Sequence, residues 1–83
     1  MAAWRFLVLP KKQSSQIKQL FGDLAKGWGS LPVKVKIGNT SWTTSIFPDK
    51  KRGAYLLPLK AEVRKKENIH DRAVVNYKIE IKI

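Results

Sequence analysis

Eighty-three residues carry 17 Lys or Arg against six Asp or Glu, a net charge of +11, and 43% of them are hydrophobic. That length holds one domain, residues 1–83, which buries only about 60–65% of its unfolded surface; the apolar share excludes a disordered tail. Cysteine is absent, which excludes disulfides and thiolate metal sites, and no apolar run approaches the roughly 18–20 residues of a membrane-spanning helix.

The chain opens MAAWRFLVLP. Its apolar run breaks at Arg5 and lacks the charged, apolar, small-residue order of a signal peptide, so a cytoplasmic location is expected. Residues 4–9 read as a strand with Trp4, Phe6 and Val8 on one face and Leu7 and Leu9 on the other, covered on both sides. Pro10 ends it. Ser14 and Ser15 are candidate helix N-caps. Ile17, Leu20, Phe21 and Leu24 follow at i, i+3, i+4 and i+7, an apolar stripe. The run KGWGS stops this helix, with Gly27 suited to a left-handed cap.

From Val33 the period changes to two. Val33, Val35 and Ile37 alternate with Lys34 and Lys36, a strand with one wet face. Gly38-Asn39-Thr40 reads as a tight turn. The return strand, residues 41–47, places Trp42, Thr44 and Ile46 on one face and Thr43, Ser45 and Phe47 on the other. PDKKRG makes a second turn, and residues 54–59 form another strand. Residues 60–67 read as a short helix ended by Asn68 in a left-handed conformation. In the last segment Val75, Tyr77, Ile79, Ile81 and Ile83 alternate with Asn76, Lys78, Glu80 and Lys82. Together these elements predict a mainly β domain: a sheet of five to six strands curled on itself, with two short helices over its openings.

The stretch WGSLPVKVKIGNTSWTTSIFPDKKRGAYLLPLKAEVRKKENI, residues 28–69, resembles a bacterial family of small domains of unknown function. The motifs are the Trp-Gly, the Pro-Val strand, the Ile-Gly turn, Trp-x-Thr-Ser-x-Phe-Pro, Gly-x-Tyr-x-Leu-Pro-Leu-Lys-Ala and Val-Arg-Lys. Related domains occur fused to bacteriocin-protection (YdeI/OmpD-associated) proteins. The resemblance implies a double-split β-barrel akin to that of AbrB-like transition regulators, and it implies no activity. It also implies a Gly-Asp turn before the last strand, where this chain has Arg72-Ala73, with Asp71 nearby.

Chemistry-bearing residues are sparse. His70 is the only histidine, so a two-histidine metal site within the chain is excluded. His70 and Asp71 are adjacent and point opposite ways on an extended strand, which disfavours a serine-hydrolase relay. No phosphate-loop or dinucleotide fingerprint occurs. No enzyme activity, cofactor or metal is expected.

The cations are more informative. Residues 46–66 hold seven of them. Lys50, Lys51 and Arg52 fall in a turn, where solvated charge is the ordinary state. Arg64, Lys65 and Lys66 fall on the short helix, Arg64 being suited to a bidentate carboxylate pair. If these residues converge with Lys34 and Lys36, they form a phosphate-binding surface. The expectation is therefore a monomeric, non-enzymatic binding or interaction module with an unknown protein partner or a polyanion. A basic nucleic-acid-binding barrel is the alternative. Trp4, Trp42 and Tyr77 are expected in the core rather than on a stacking platform.

Overall fold

Strict alternation of β-branched and charged residues makes Leu31–Ile37 the organising strand. In the computed structural model, which describes residues 5–70 and 74–83, Leu31, Val33, Val35 and Ile37 are buried and Lys34 and Lys36 exposed. Five strands surround this pattern: β1 Arg5–Val8, β2 Leu31–Ile37, β3 Thr40–Asp49, β4 Ala54–Leu59 and β5 Lys78–Ile81. Helix α1 spans Lys11–Phe21 and α2 spans Ala61–Lys66. The strands form one antiparallel sheet in the order β1-β4-β3-β2-β5.

Strand β3 is ten residues long, about 33 Å at the usual rise per residue, and it serves two ladders. Its first part, from Thr40 to Ile46, pairs with β2; its last three residues, Phe47, Pro48 and Asp49, pair with β4. The sheet therefore has two wings, β3-β2-β5 and β3-β4-β1, joined along one strand. Inward residues of both wings meet in a single cluster that includes Leu31, Val33, Val35, Ile46, Leu57 and Leu59. Trp42 and Tyr77 pack against that cluster half-buried.

The expected closed barrel is not closed by strand pairing. Among the described residues β1 and β5 remain the two ends of the sheet, with no ladder between them. Helix α1 instead ties the β4-β1 side of the sheet to the segment leading into β5. The Tyr55 backbone N–H in β4 donates to Ser14 Oγ at 2.9 Å, and the Tyr77 hydroxyl, one residue before β5, donates to Gln13 Oε1 at 2.6 Å.

That bridging role corrects the sequence reading of α1. The helix begins at Lys11, three residues before the expected cap, and Ser14 is a buried side chain within it rather than its N-cap. The face turned to the core runs through Ser14, Ile17 and Phe21. Leu20, still within the helix, lies to the side of that face and is 71% exposed; Leu24 is also exposed, because the helix ends at Phe21 and a tighter 3₁₀ turn, Gly22–Leu24, shifts it off the stripe. Gly27 does not take the left-handed conformation; Trp28 (φ 65°) and Gly29 (φ 75°) do. Strand β1 is covered on one side only, with Phe6 and Val8 facing outward. Strand β5 is four residues long, shorter than the alternation extends.

Other expectations hold: β4 spans residues 54–59, and Asn68 ends α2 with φ 56°. At the β2–β3 turn Gly38 has φ 57°, and an added Cβ there would lie 1.9 Å from Glu67 Oε1. Glu67 in turn accepts the Thr40 hydroxyl at 2.6 Å. Glycine at 38 thus lets the end of α2 sit down on the hairpin. Trp4 and the Asp71-Arg72-Ala73 stretch lie outside the described residues.

Candidate polyanion interface

The outer face of the β3-β2-β5 wing follows from register. Lys36 lies opposite Ser41 on β3 and Lys78 on β5; Lys34 lies opposite Thr43 and Glu80. Beyond them Ser45 pairs with Pro32, whose carbonyl accepts the Lys82 backbone N–H at 2.8 Å. One face thus carries Lys34, Lys36, Lys78 and Lys82, a row of hydroxyls and a single carboxylate. Directly opposed residues in such a ladder have Cβ atoms about 4.5–5.5 Å apart, so Lys36 and Lys78 form a repulsive cross-strand pair. Glu80 is held by Lys82 Nζ at 3.2 Å. Both side chains are solvent-exposed, and such pairs contribute little to stability.

The eight cations singled out from the sequence do not converge. Lys34 and Lys36 belong to this face. Lys50, Lys51 and Arg52 lie in the turn after Asp49, roughly 20 Å further along β3 from Thr43. There Asp49 shapes the turn: its carboxylate accepts the Lys51 backbone N–H at 3.0 Å and pairs with the Arg52 guanidinium. The hydrogen bond from Arg52 holds the Asp49 carboxyl below its ordinary pKa. Arg64, Lys65 and Lys66 occupy the last turn of α2, where cations complement the helix dipole; Arg64 is half-buried. The Glu67–Thr40 bond sets this helix at the hairpin end of β3, opposite to the Lys50–Arg52 turn.

Lys78 and Lys82 are the site residues missed in the sequence reading. Their outward direction was legible from alternation, but their placement beside Lys34 and Lys36 requires β5 to pair with β2 rather than with its chain neighbour β4.

The other wing presents different chemistry outward. Val8, Leu56 and Phe47 lie in one cross-strand row, with Phe6 opposite Pro58 in the next. Phe6 is 52% and Phe47 38% exposed. Beside this end of β3 sits the loop carrying Trp28. The Lys26 N–H donates to the Ser30 carbonyl and the Gly29 N–H to the Lys26 carbonyl, both at 2.9 Å. A Cβ added at Gly29 would lie 2.9 Å from Pro48 Cγ. Trp28 is 94% exposed.

Two further places have a shape that invites chemistry. A cleft of about 360 Å³ between α1 and the β3–β4 turn is lined by Ser14, Ser15, Lys18, Pro48, Lys50 and Tyr55 among others. His70 is exposed after α2. Among the described residues no group of three or more His, Asp or Glu is arranged to hold a metal ion. Nor is any helix among them long and apolar enough to cross a membrane.

A family profile described as "Domain of unknown function (DUF1905)" matches residues 1–79. The chain belongs to this family. The match extends from before β1 into β5, so both wings, and Lys78 with them, fall inside the family domain, while Glu80 and Lys82 lie just past it. No curated protein matches the chain, and no solved structure does.

Proposed function

We propose that this DUF1905 chain is a non-catalytic binding module that takes polyanions on the outer face of β2, β3 and β5. The observation that carries the reading is the Lys36–Lys78 cross-strand pair. A ladder gains about 0.2–1 kcal/mol by avoiding like charges at opposed positions. A partner that supplies negative charge over both ammonium groups offsets that repulsion. The surrounding charge favours the same class of partner: +11 over 83 residues raises the local concentration of anions and speeds their encounter. Neighbouring hydroxyls of Ser41, Thr43 and Ser45 are suited to donate hydrogen bonds to phosphate oxygens.

Within this reading the curled sheet is a double-split barrel of the AbrB-like kind whose seam is spanned by α1, and the chain works as a cytoplasmic monomer in a bacterium. Anisotropy with labelled random oligonucleotides at two salt concentrations tests it. Affinity falls steeply with salt, and Lys36→Ala and Lys78→Ala each reduce the log–log slope by about one. Absence of binding at low salt, or a slope unchanged in both variants, contradicts the proposal.

A further inference from the structure

The outward residues of β3 do not change side where the two wings meet. Ser41, Thr43, Ser45 and Phe47 form one continuous outer row, about 20 Å long. The lysine ladder flanks its first part. Exposed phenyl rings occupy its end: Phe47 itself, level with Leu56 and Val8, and Phe6 on β1 in the next row, opposite Pro58.

Trp28 adds an exposed indole near that end of the strand: its loop lies beside Pro48, the residue after Phe47, and a Cβ added at Gly29 would sit 2.9 Å from Pro48 Cγ. The Pro48 ring points to the other side of β3 from Phe47. Trp28 has a left-handed backbone, φ 65° and ψ 11°, which is disfavoured for a bulky side chain. Its ring is almost wholly in solvent, so the fold gains no burial from it. The two hydrogen bonds that close the Lys26–Ser30 loop hold the residue in that conformation nonetheless.

Resting on the polyanion reading above, we infer that the ligand is single-stranded nucleic acid, its phosphates on Lys34, Lys36 and Lys78 and its unpaired bases stacked on Phe47 and Phe6, with Trp28 taking a further base where the strand passes the end of β3. Cations along a backbone track followed by exposed rings are the two components that single-strand binders combine. A duplex hides its base faces and gains only the lysine contacts. An acidic protein segment would satisfy the charge but has no reason to require flat rings.

The test compares a labelled single strand, the matching duplex and poly-glutamate as probes. The wild-type chain binds the single strand most tightly. Phe47→Leu and Phe6→Leu keep apolar bulk and remove the ring, and each lowers single-strand affinity about tenfold while leaving duplex affinity and the salt slope unchanged. Phe47→Tyr retains binding, which separates stacking from any loss of fold, and circular dichroism verifies the fold of each variant. Trp28→Gly melts at a higher temperature yet binds the single strand more weakly. Equal binding of strand and duplex, with no effect of the phenylalanine variants, overturns this inference and leaves the lysine-face proposal standing. Poly-glutamate bound as tightly as the strand, and lost in the same variants, makes an acidic protein the occupant instead. No binding of any probe overturns both.

Discussion

Along β3 the outward side chains run Ser41, Thr43, Ser45 and then Phe47, and the change from hydroxyl to phenyl falls where the strand exchanges β2 for β4 as its partner. Beneath that row the two wings are alike. Leu31, Val33 and Val35 on one side, and Leu57 and Leu59 on the other, enter the same core. Above it they differ. The β3-β2-β5 wing shows lysines and hydroxyls, whereas the β3-β4-β1 wing shows Phe6, Val8 and Phe47. Folding demands the inner residues of both wings. It demands neither an exposed phenyl row nor opposed lysines, so the outer rows are where function can be written without disturbing the core.

The largest effects separate inner from outer. Ile46 and Leu57, one from each wing, are both 0% exposed, and truncating either to Ala costs about 2–5 kcal/mol. A domain of this size holds roughly 4–12 kcal/mol in total. Urea unfolding should show both variants severely weakened and to a similar extent, whereas Phe47→Leu shifts the midpoint by less than about 1 kcal/mol. A large loss from Phe47→Leu would mean the outer row is structural after all.

Next in size is the hairpin at the far end of the lysine wing. Gly38→Ala meets both a left-handed backbone and the Glu67 carboxylate, for a loss on the order of 1–3 kcal/mol. Combining it with Glu67→Ala removes the clash, so the pair should be less destabilised than the sum of the single losses. Strict additivity in thermal melts would show that Glu67 does not sit on the turn.

The seam between the wing ends comes next. Ser14→Ala leaves the Tyr55 N–H without its acceptor, a loss of about 1–3 kcal/mol for a buried donor. Burial also pushes the Tyr55 and Tyr77 hydroxyls above the usual tyrosine pKa of 10.0. Both rings are neutral in the fold, so their contribution is fully present below pH 10 and is lost as pH rises through the raised values. Stability flat up to pH 10 and falling beyond it, in step with tyrosinate absorbance, is the expected profile. Tyrosinate absorbance rising at the ordinary pKa before stability falls would contradict it.

Alternation places β2 and β3 within two or three residues, because period-two burial is written locally in PVKVKI; the β4 limits are legible because AYLLPL is a short apolar run, buried almost throughout, between Gly53 and Lys60. The α1 start was not legible. What fixes it is Ser14 bonding to Tyr55, 41 positions away, whereas serine by itself signals a cap. Leu24 joins the apolar stripe only on a continuous helix, and the 3₁₀ turn at Gly22 redirects it; Leu20 stays in α1, but the face that meets the core is the one through Ser14, Ile17 and Phe21. For the site, Lys34 and Lys36 were found, since their own strand orients them. Lys78 and Lys82 needed the pairing of β5 with β2, a contact made over some 45 intervening residues. The Lys50–Arg52 and Arg64–Lys66 runs looked alike in sequence yet lie at opposite ends of β3, because composition carries no distance. The apolarity of Phe6 and Val8 predicts burial, and nothing in the local pattern says that their side of β1 is left uncovered.

The smallest energetic change tests the central claim most directly. Lys36→Glu replaces the repulsive pair with Lys78 by an attractive one, so the fold should gain about 0.2–1 kcal/mol while polyanion affinity drops and its salt slope shrinks. Thermal melts and oligonucleotide anisotropy on that single variant read both quantities. A more stable protein that binds anions less well is the result expected of a face kept for its partner. A variant that binds as before, or that loses stability together with binding, would show that Lys36 and Lys78 are ordinary surface charge.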